Sequence, residues 1–182
     1  DETNVEVFAN AFFSSAAGFT TGGISLFDEP EKLSQSFTFF RSYTQLVGGM
    51  SFIYLVITAF YPESKLQSMR GFISGRTLHM KELFLTITVI FAVYIVIVAV
   101  LLYLFGSRNP IDDFSPGHLI DNFSLAMSTL STGGFTPTST ILEGLLWQEH
   151  VVLIGAMILG ALPFTFHYAF VRKKFLSPKL GK

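Results

Sequence analysis

The chain has 182 residues, of which 50% are hydrophobic, 15% aromatic and only 14% charged, with a formal net charge of −1. A soluble domain carries about 25% charged residues, so this chain lacks the polar surface to cover a water-soluble globule, and its near-neutral balance gives no basis for nucleic-acid binding. With no cysteine, disulfides and thiolate metal sites are excluded as well.

The N-terminus, Asp1-Glu2-Thr3-Asn4, is acidic and lacks the basic start and short apolar core of a signal peptide. Val5–Phe19 is apolar, but a helix of its 15 residues reaches only about 20 Å, less than the ~30 Å of a hydrocarbon core. It runs straight into Thr20-Thr21-Gly22-Gly23-Ile24. Ser42–Tyr61 follows Arg41, carries Gly48-Gly49 and stops at Pro62; its length predicts a membrane span. Leu83–Phe105 holds no charge and is rich in Ile, Val, Leu and Phe, the clearest span of the chain. His118–Leu130 is again too short to cross and runs into Ser131-Thr132-Gly133-Gly134-Phe135. Val151–Val171 is the last predicted span and contains Gly155, Gly160, Pro163 and His167; proline is tolerated in a membrane where neighbours satisfy the freed carbonyl. Short helix, glycine loop, full span is the order of a re-entrant pore loop. Non-helical backbone survives at membrane depth only where protein buries it or water meets it.

The pattern repeats. At a shift of 111 residues, Asn10-Ala11-Phe12 meets Asp121-Asn122-Phe123, and Thr20–Ile24 meets Ser131–Phe135. At a shift of 107, Leu46–Met50 meets Leu153–Met157. The repeating unit is therefore span, pore helix, filter loop, span. The expected organisation is residues 1–62 as pore helix, loop and second span of repeat one, and 63–82 as a basic cytoplasmic linker. Residues 83–171 form a complete repeat two, and 172–182 a basic tail. Because repeat one has no leading span, the chain is expected to be an internal piece of a longer protein.

Charge orients these elements. Lys65, Arg70, Arg76 and Lys81 lie between the first two full spans, and Arg172, Lys173, Lys174, Lys179 and Lys182 follow the last. Such an excess marks the cytoplasmic side, and the C-terminal end is placed there. The opposite side carries Asp28, Glu29, Glu31, Asp112, Asp113, Asp121, Glu143 and Glu149, a negative surface that concentrates cations. Both loops then dip from outside, so the repeats are parallel.

The loops suit a dehydrated monovalent cation. Rings of backbone carbonyls replace the hydration shell in potassium filters, glycine permits the backbone conformations this needs, and threonine adds a hydroxyl acceptor. A pore helix ending at the loop aims its partly negative terminus at the ion. Neither Thr-Gly-Gly core holds a carboxylate, which disfavours a calcium-type cage. The candidate filter residues are Thr20, Thr21, Gly22, Gly23, Ser131, Thr132, Gly133 and Gly134, with K+ held at Thr21–Gly23 and Thr132–Gly134. A single such tripeptide reads as an ordinary turn; two, each between a short helix and a span on one side of the membrane, do not.

Phe12–Ile24 followed by Arg41–Met50, then Leu130–Phe135, then Met157–Tyr168 resembles, in the same order, the first two pore regions of TrkH-type potassium uptake proteins of the Trk/Ktr/HKT superfamily. The resemblance covers almost the whole chain. It implies an all-α membrane protein of potassium-channel-like repeats around a pseudo-fourfold pore, with Gly23 and Gly134 as the filter glycines of units one and two. In related plant transporters glycine at the unit-one position goes with potassium and serine with sodium, so Gly23 favours potassium. Gly22 departs from the threonine common there, which removes a hydroxyl and loosens the loop. The resemblance further implies a homodimer in the cell membrane, the missing remainder of a four-repeat pore, and a cytosolic TrkA-like nucleotide-binding regulatory subunit. Channel and H+- or Na+-coupled symport stay open.

Other residues read as structural. His79, His118, His150 and His167 show no metal-ligand spacing; His167, inside a span, is read as bonding a neighbouring helix. Arg41 is read as reaching the lipid headgroups, with a contact to the back of the filter as the alternative. No G-x-x-x-x-G-K-[ST] loop or nucleophile–base pair occurs, so no enzyme and no resident cofactor are expected. Two competing readings remain: a non-conducting membrane scaffold whose glycine loops only pack helices, and a short homotetrameric channel, against which two diverged loops in one chain argue.

Overall fold

Helices run where apolar side chains continue without proline, and they end near glycine, proline or a hydroxyl-Gly-Gly cluster. The structure, a computed structural model, describes residues 4–60, 80–106, 116–139, 141–163 and 166–167. The protein is all-α, and no strand forms among the described residues. Helix α1 is Asn4–Phe19. A short 3-10 turn, Pro30–Lys32, has proline in its first turn, where the missing N–H is not needed. An exposed Lys32–Glu29 ion pair accompanies it. Helix α2 is Gln35–Phe60, 26 residues or about 39 Å. It starts seven residues before the span expected at 42–61, with the Ser34 carbonyl accepting from the Phe37 and Thr38 N–H groups at 2.9 and 3.1 Å.

Helix α3 is Met80–Gly106. Within it Phe84–Gly106 is, among the described residues, the one stretch both long and apolar enough to cross a membrane by length and composition. Leu85, Val89, Val93, Val96, Val100 and Leu104 are all 46–64% exposed. Their spacing of three and four places them on one face, a stripe suited to hydrocarbon. Helix α4 is Pro116–Leu130, with proline at its first position, two residues ahead of the expected His118. A single turn, α5 (Ile141–Gly144), precedes α6 (Trp147–Ala161).

The span expected at 151–171 is not one continuous helix. Helix α6 begins at Trp147 and closes at Ala161; residues 162–163 are not helical, and helix returns at 166–167. Pro163 disfavours helical backbone at Leu162 and supplies no N–H, and the Phe166 N–H instead closes a tight turn onto the Pro163 carbonyl at 2.9 Å. The rest of that expected span lies outside the described residues, as do nearly all of the expected linker at 63–82 and the whole tail at 172–182.

The chain divides into two compact units, Asp1–Met50 with Tyr94–Ala161, and Ser51–Val93 with Leu162–Lys182. The core of the first is built by Ile95, Val98, Ala99 and Leu102 of α3, Leu125, Ala126, Met127 and Leu130 of α4, and Leu153 and Ala156 of α6. The α3 members follow i, i+3, i+4, i+7 on the face opposite the exposed stripe. In lipid such a core gains from close packing and dispersion rather than from expelled water. In the second unit Tyr54 meets Phe84 edge-on at 5.2 Å, and the His167 ring, 1% exposed, lies against Phe91 and Phe166, each at 5.9 Å.

Candidate ion filter

Each short helix ends in the same hydrogen-bonded cap. In the first loop the N–H groups of Thr20, Thr21 and Gly22 bond to the carbonyls of Ala16, Gly18 and Ala17 at 2.9, 3.0 and 3.0 Å. In the second, Ser131, Thr132 and Gly133 bond to Met127, Thr129 and Ser128 at 3.0, 3.0 and 2.8 Å. Every donor and acceptor of one set maps to the other by adding 111. The crossed pair of bonds is a Schellman closure, whose left-handed residue is usually glycine. Here it is Thr21 and Thr132, both at φ +54°, a conformation that is a true outlier for a β-branched residue. Two residues on, Gly23 and Gly134 also have positive φ, +67° and +86°. Gly23 and Gly134 reach this region without a Cβ penalty.

The fold brings the two loops together. A Cβ added to Gly23 would collide with the Gly133 carbonyl oxygen and come within 3.6 Å of the Gly134 Cα. The predicted residues Gly23, Gly133 and Gly134 therefore form the contact, with Thr20, Gly22, Thr132 and Gly134 exposed. The hydroxyls of Thr20, Ser131 and Thr132 turn back to the carbonyls of Ala16, Ser128 and Ser131 at 2.7, 3.1 and 2.7 Å.

One face of α2 backs both loops. Arg41, Thr44, Gln45, Gly48 and Gly49 stand at i, i+3, i+4, i+7 and i+8. The Thr44 hydroxyl lies where a Cβ on Gly18 would fall, 2.6 Å from it, and donates to the Arg41 carbonyl at 2.7 Å. Gly48 abuts the Phe19 carbonyl, the last of α1; Gly49 faces the methyl of Thr21 and the Cβ of Ser131. The Gln45 side chain, fully enclosed, occupies the space beside Gly133.

Arg41 does not reach outward to headgroups. It is 8% exposed, its Nη2 donates to the Ser25 hydroxyl at 2.7 Å, and its guanidinium lies 4.2 Å from the Phe135 ring and 5.0 Å from the Phe27 ring. A delocalised guanidinium is stabilised by aromatic faces, which is why the charge sits inside the helix start rather than marking its boundary. The alternative contact, behind the two glycine loops, is the one the fold makes.

A profile of the TrkH family, described as a cation transport protein, matches residues 1–179. The chain belongs to the TrkH family. Among curated proteins it is similar to the Trk system potassium uptake protein TrkI of Halomonas elongata, 29% identical over 175 residues, covering 90% of this chain and 33% of that protein. The chain thus spans about a third of the length of that curated relative. No solved structure matches it significantly.

Within this TrkH chain the second-span register differs from the sequence alignment. The 107-residue shift pairs Gly48 with Gly155, yet nothing lies within 4 Å of a Cβ on Gly155. Gly160 abuts the Leu130 carbonyl as Gly48 abuts that of Phe19, a shift of 112. Five residues turn a helix by about 140°, so the two alignments present different faces, and the contact with the end of α4 selects the second. Glu149, expected on the outer acidic surface, is 6% exposed. Its carboxylate accepts the Leu146 N–H at 2.8 Å, closing the first turn of α6 as a capping-box residue does.

The loops and short helices were visible in the sequence; Thr44 and Gln45 as backing residues were not. Their signal was available, since polar and small residues recurring at i, i+3, i+4, i+7 in an otherwise apolar span mark a face turned toward protein.

Proposed function

We propose that this chain forms two adjacent quarters of the K+ filter of a TrkH-type potassium transporter, with K+ held by carbonyls of Thr21–Gly23 and Thr132–Gly134. One observation carries the reading: two loops with the same cap, the same alternating positive φ, and glycine against glycine at their contact. Carbonyl oxygens of such loops replace the water of a monovalent cation. The negative ends of α1 and α4 add to the favourable potential. A four-part ring needs two more loops, which the remainder of the full-length protein supplies. The protein is a multi-pass cell-membrane component with the C-terminal end of this chain in the cytoplasm, forms a homodimer, and meets a TrkA-like nucleotide-binding subunit there.

The test is Gly23→Ser and Gly134→Ser in the full-length protein, expressed in cells lacking their own K+ uptake. The filter reading expects changed Rb+ uptake and a reduced K+/Na+ ratio at unchanged protein level in the membrane. Normal flux and selectivity in both variants would leave the loops as helix-packing devices, the scaffold reading.

A further inference from the structure

We propose that Gln45 and Arg41, on α2 of the first repeat, are positioning residues that hold the second loop in shape and so set the K+/Na+ discrimination of the filter. The proposal rests on the filter reading above.

Gln45 is 0% exposed. Its Oε1 accepts the Ser128 hydroxyl at 2.9 Å and the Phe135 N–H at 3.3 Å. Those donors flank the loop 131–134: Ser128 lies in the last turn of α4, and Phe135 directly follows Gly134. One carbonyl oxygen therefore clamps both ends of the loop, while the rest of the amide packs on the Gly133 backbone. The orientation of the amide is fixed by chemistry. The Phe135 N–H can only donate, so the oxygen must face it.

The opposite end of the amide indicates that stability alone does not favour glutamine here. Its Nε2 is buried with no hydrogen-bond partner among the described residues, as is the hydroxyl of Ser42 one turn earlier. A buried donor without an acceptor destabilises the fold, and an apolar side chain of similar shape would avoid that cost. What the amide supplies instead is two bonds to the frame of the loop.

Arg41, one turn before Gln45, holds the same residue by its ring. Its guanidinium stacks on Phe135 at 4.2 Å and also engages Phe27 and Ser25, which follow the first loop. Phe135 is thus fixed by backbone and side chain from one helix face. The segments leaving both loops share a single anchor. Discrimination between K+ and Na+ depends on how firmly the carbonyls hold their spacing and field. A slack second loop should collapse onto the smaller ion more readily.

The test compares Gln45→Leu, Gln45→Glu and Ser128→Ala in the full-length protein, with Gly23→Ser and Gly134→Ser as references. Readouts are the Rb+/Na+ uptake ratio, the KM for Rb+, and protein amount in the membrane. Losing a hydrogen bond of ordinary strength corresponds to about a fivefold change, so Gln45→Leu should lower the ratio by about that factor or more. Ser128→Ala should lower it less, and Gln45→Glu, which still offers an acceptor to both donors, should restore much of it. Arg41→Lys, which keeps charge but loses the stacked plane, should shift the ratio in the same direction. A smaller Vmax with an unchanged ratio in Gln45→Leu would mean packing only and overturn the proposal. If that variant fails to insert, Ser128→Ala decides: a lowered ratio supports it and an unchanged one overturns it. Should Gly23→Ser and Gly134→Ser also show normal flux and ratio, the filter reading itself fails; if only the Gln45 and Ser128 variants are silent, that reading stands and this inference falls.

Discussion

Adding one methyl group at each of three loop glycines should produce a graded loss that the geometry orders in advance. At Gly22, φ is not positive, and the nearest atoms to a new Cβ are the Thr20 hydroxyl at 3.4 Å and the Ala17 carbonyl at 3.7 Å; Gly22→Ala should therefore transport close to normally. At Gly134, φ is +86° but a Cβ meets nothing nearer than the Gly23 Cα at 3.8 Å. Gly134→Ala thus bears only the left-handed penalty, roughly 1–2 kcal/mol. If that energy works against the conducting loop shape, it corresponds to about a 5- to 30-fold loss. At Gly23, φ is +67° and the Cβ also collides with the Gly133 carbonyl oxygen. That obstacle is backbone, which cannot rotate aside as a side chain tip does, and it is a proposed ligand of the ion. Gly23→Ala should lose the most, and its K+/Na+ ratio should change as well as its rate. Initial Rb+ uptake, normalised to protein in the membrane, measures the order. Gly22→Ala equal to or worse than Gly23→Ala would refute the reasoning, because the two sites lie in one loop and differ in just these two respects.

Two further outcomes follow from other contacts. The Glu31 carboxylate is held below its ordinary value of 4.5 by hydrogen bonding at its own backbone, then by the N–H and hydroxyl of Ser139 at 3.0 and 2.9 Å. A depressed folded-state value means this tie contributes fully above the ordinary carboxylate range and is lost as pH falls below 4.5 through the lowered value. The Tm of the detergent-purified full-length protein should therefore drop on acidification in that window, and Glu31→Gln should lose part of the drop; an equal drop in both would remove Glu31 from the account. In α6, Gly160→Ala should reduce the amount of folded protein because its Cβ strikes the Leu130 carbonyl, whereas Gly155→Ala should be neutral. The reverse ranking, read by fluorescence-detected size exclusion, would restore the 107-residue alignment.

Much of this protein was legible because it is local. The two short helices end at Phe19 and Leu130, where the sequence reading ended them, since each is stopped by a hydroxyl-Gly-Gly cluster next to it in the chain. The all-α character and the long apolar α3 follow from the same short-range signals. The start of α2 was misplaced because a charge looks like a boundary when its surroundings are unknown. Arg41 is accommodated inside because Phe27 and Phe135, 14 and 94 residues away in the chain, bring two ring faces to it. The break after Ala161 was readable in Pro163, and there the expectation that neighbours would rescue the helix was the error.

Sequence alone determined the two Thr-Gly-Gly loops, their short helices, their 111-residue relation and the family, since these rest on residue types and spacing along one chain. Only the tertiary structure decided that Gly23 touches Gly133 and Gly134, that Gln45 clamps the second loop, and that Gly160 rather than Gly155 supports it. These contacts join residues 83 to 111 positions apart or select one face of a helix over another. Periodicity records that a helix has a protein-facing side, but which atoms meet there depends on how the helices pack.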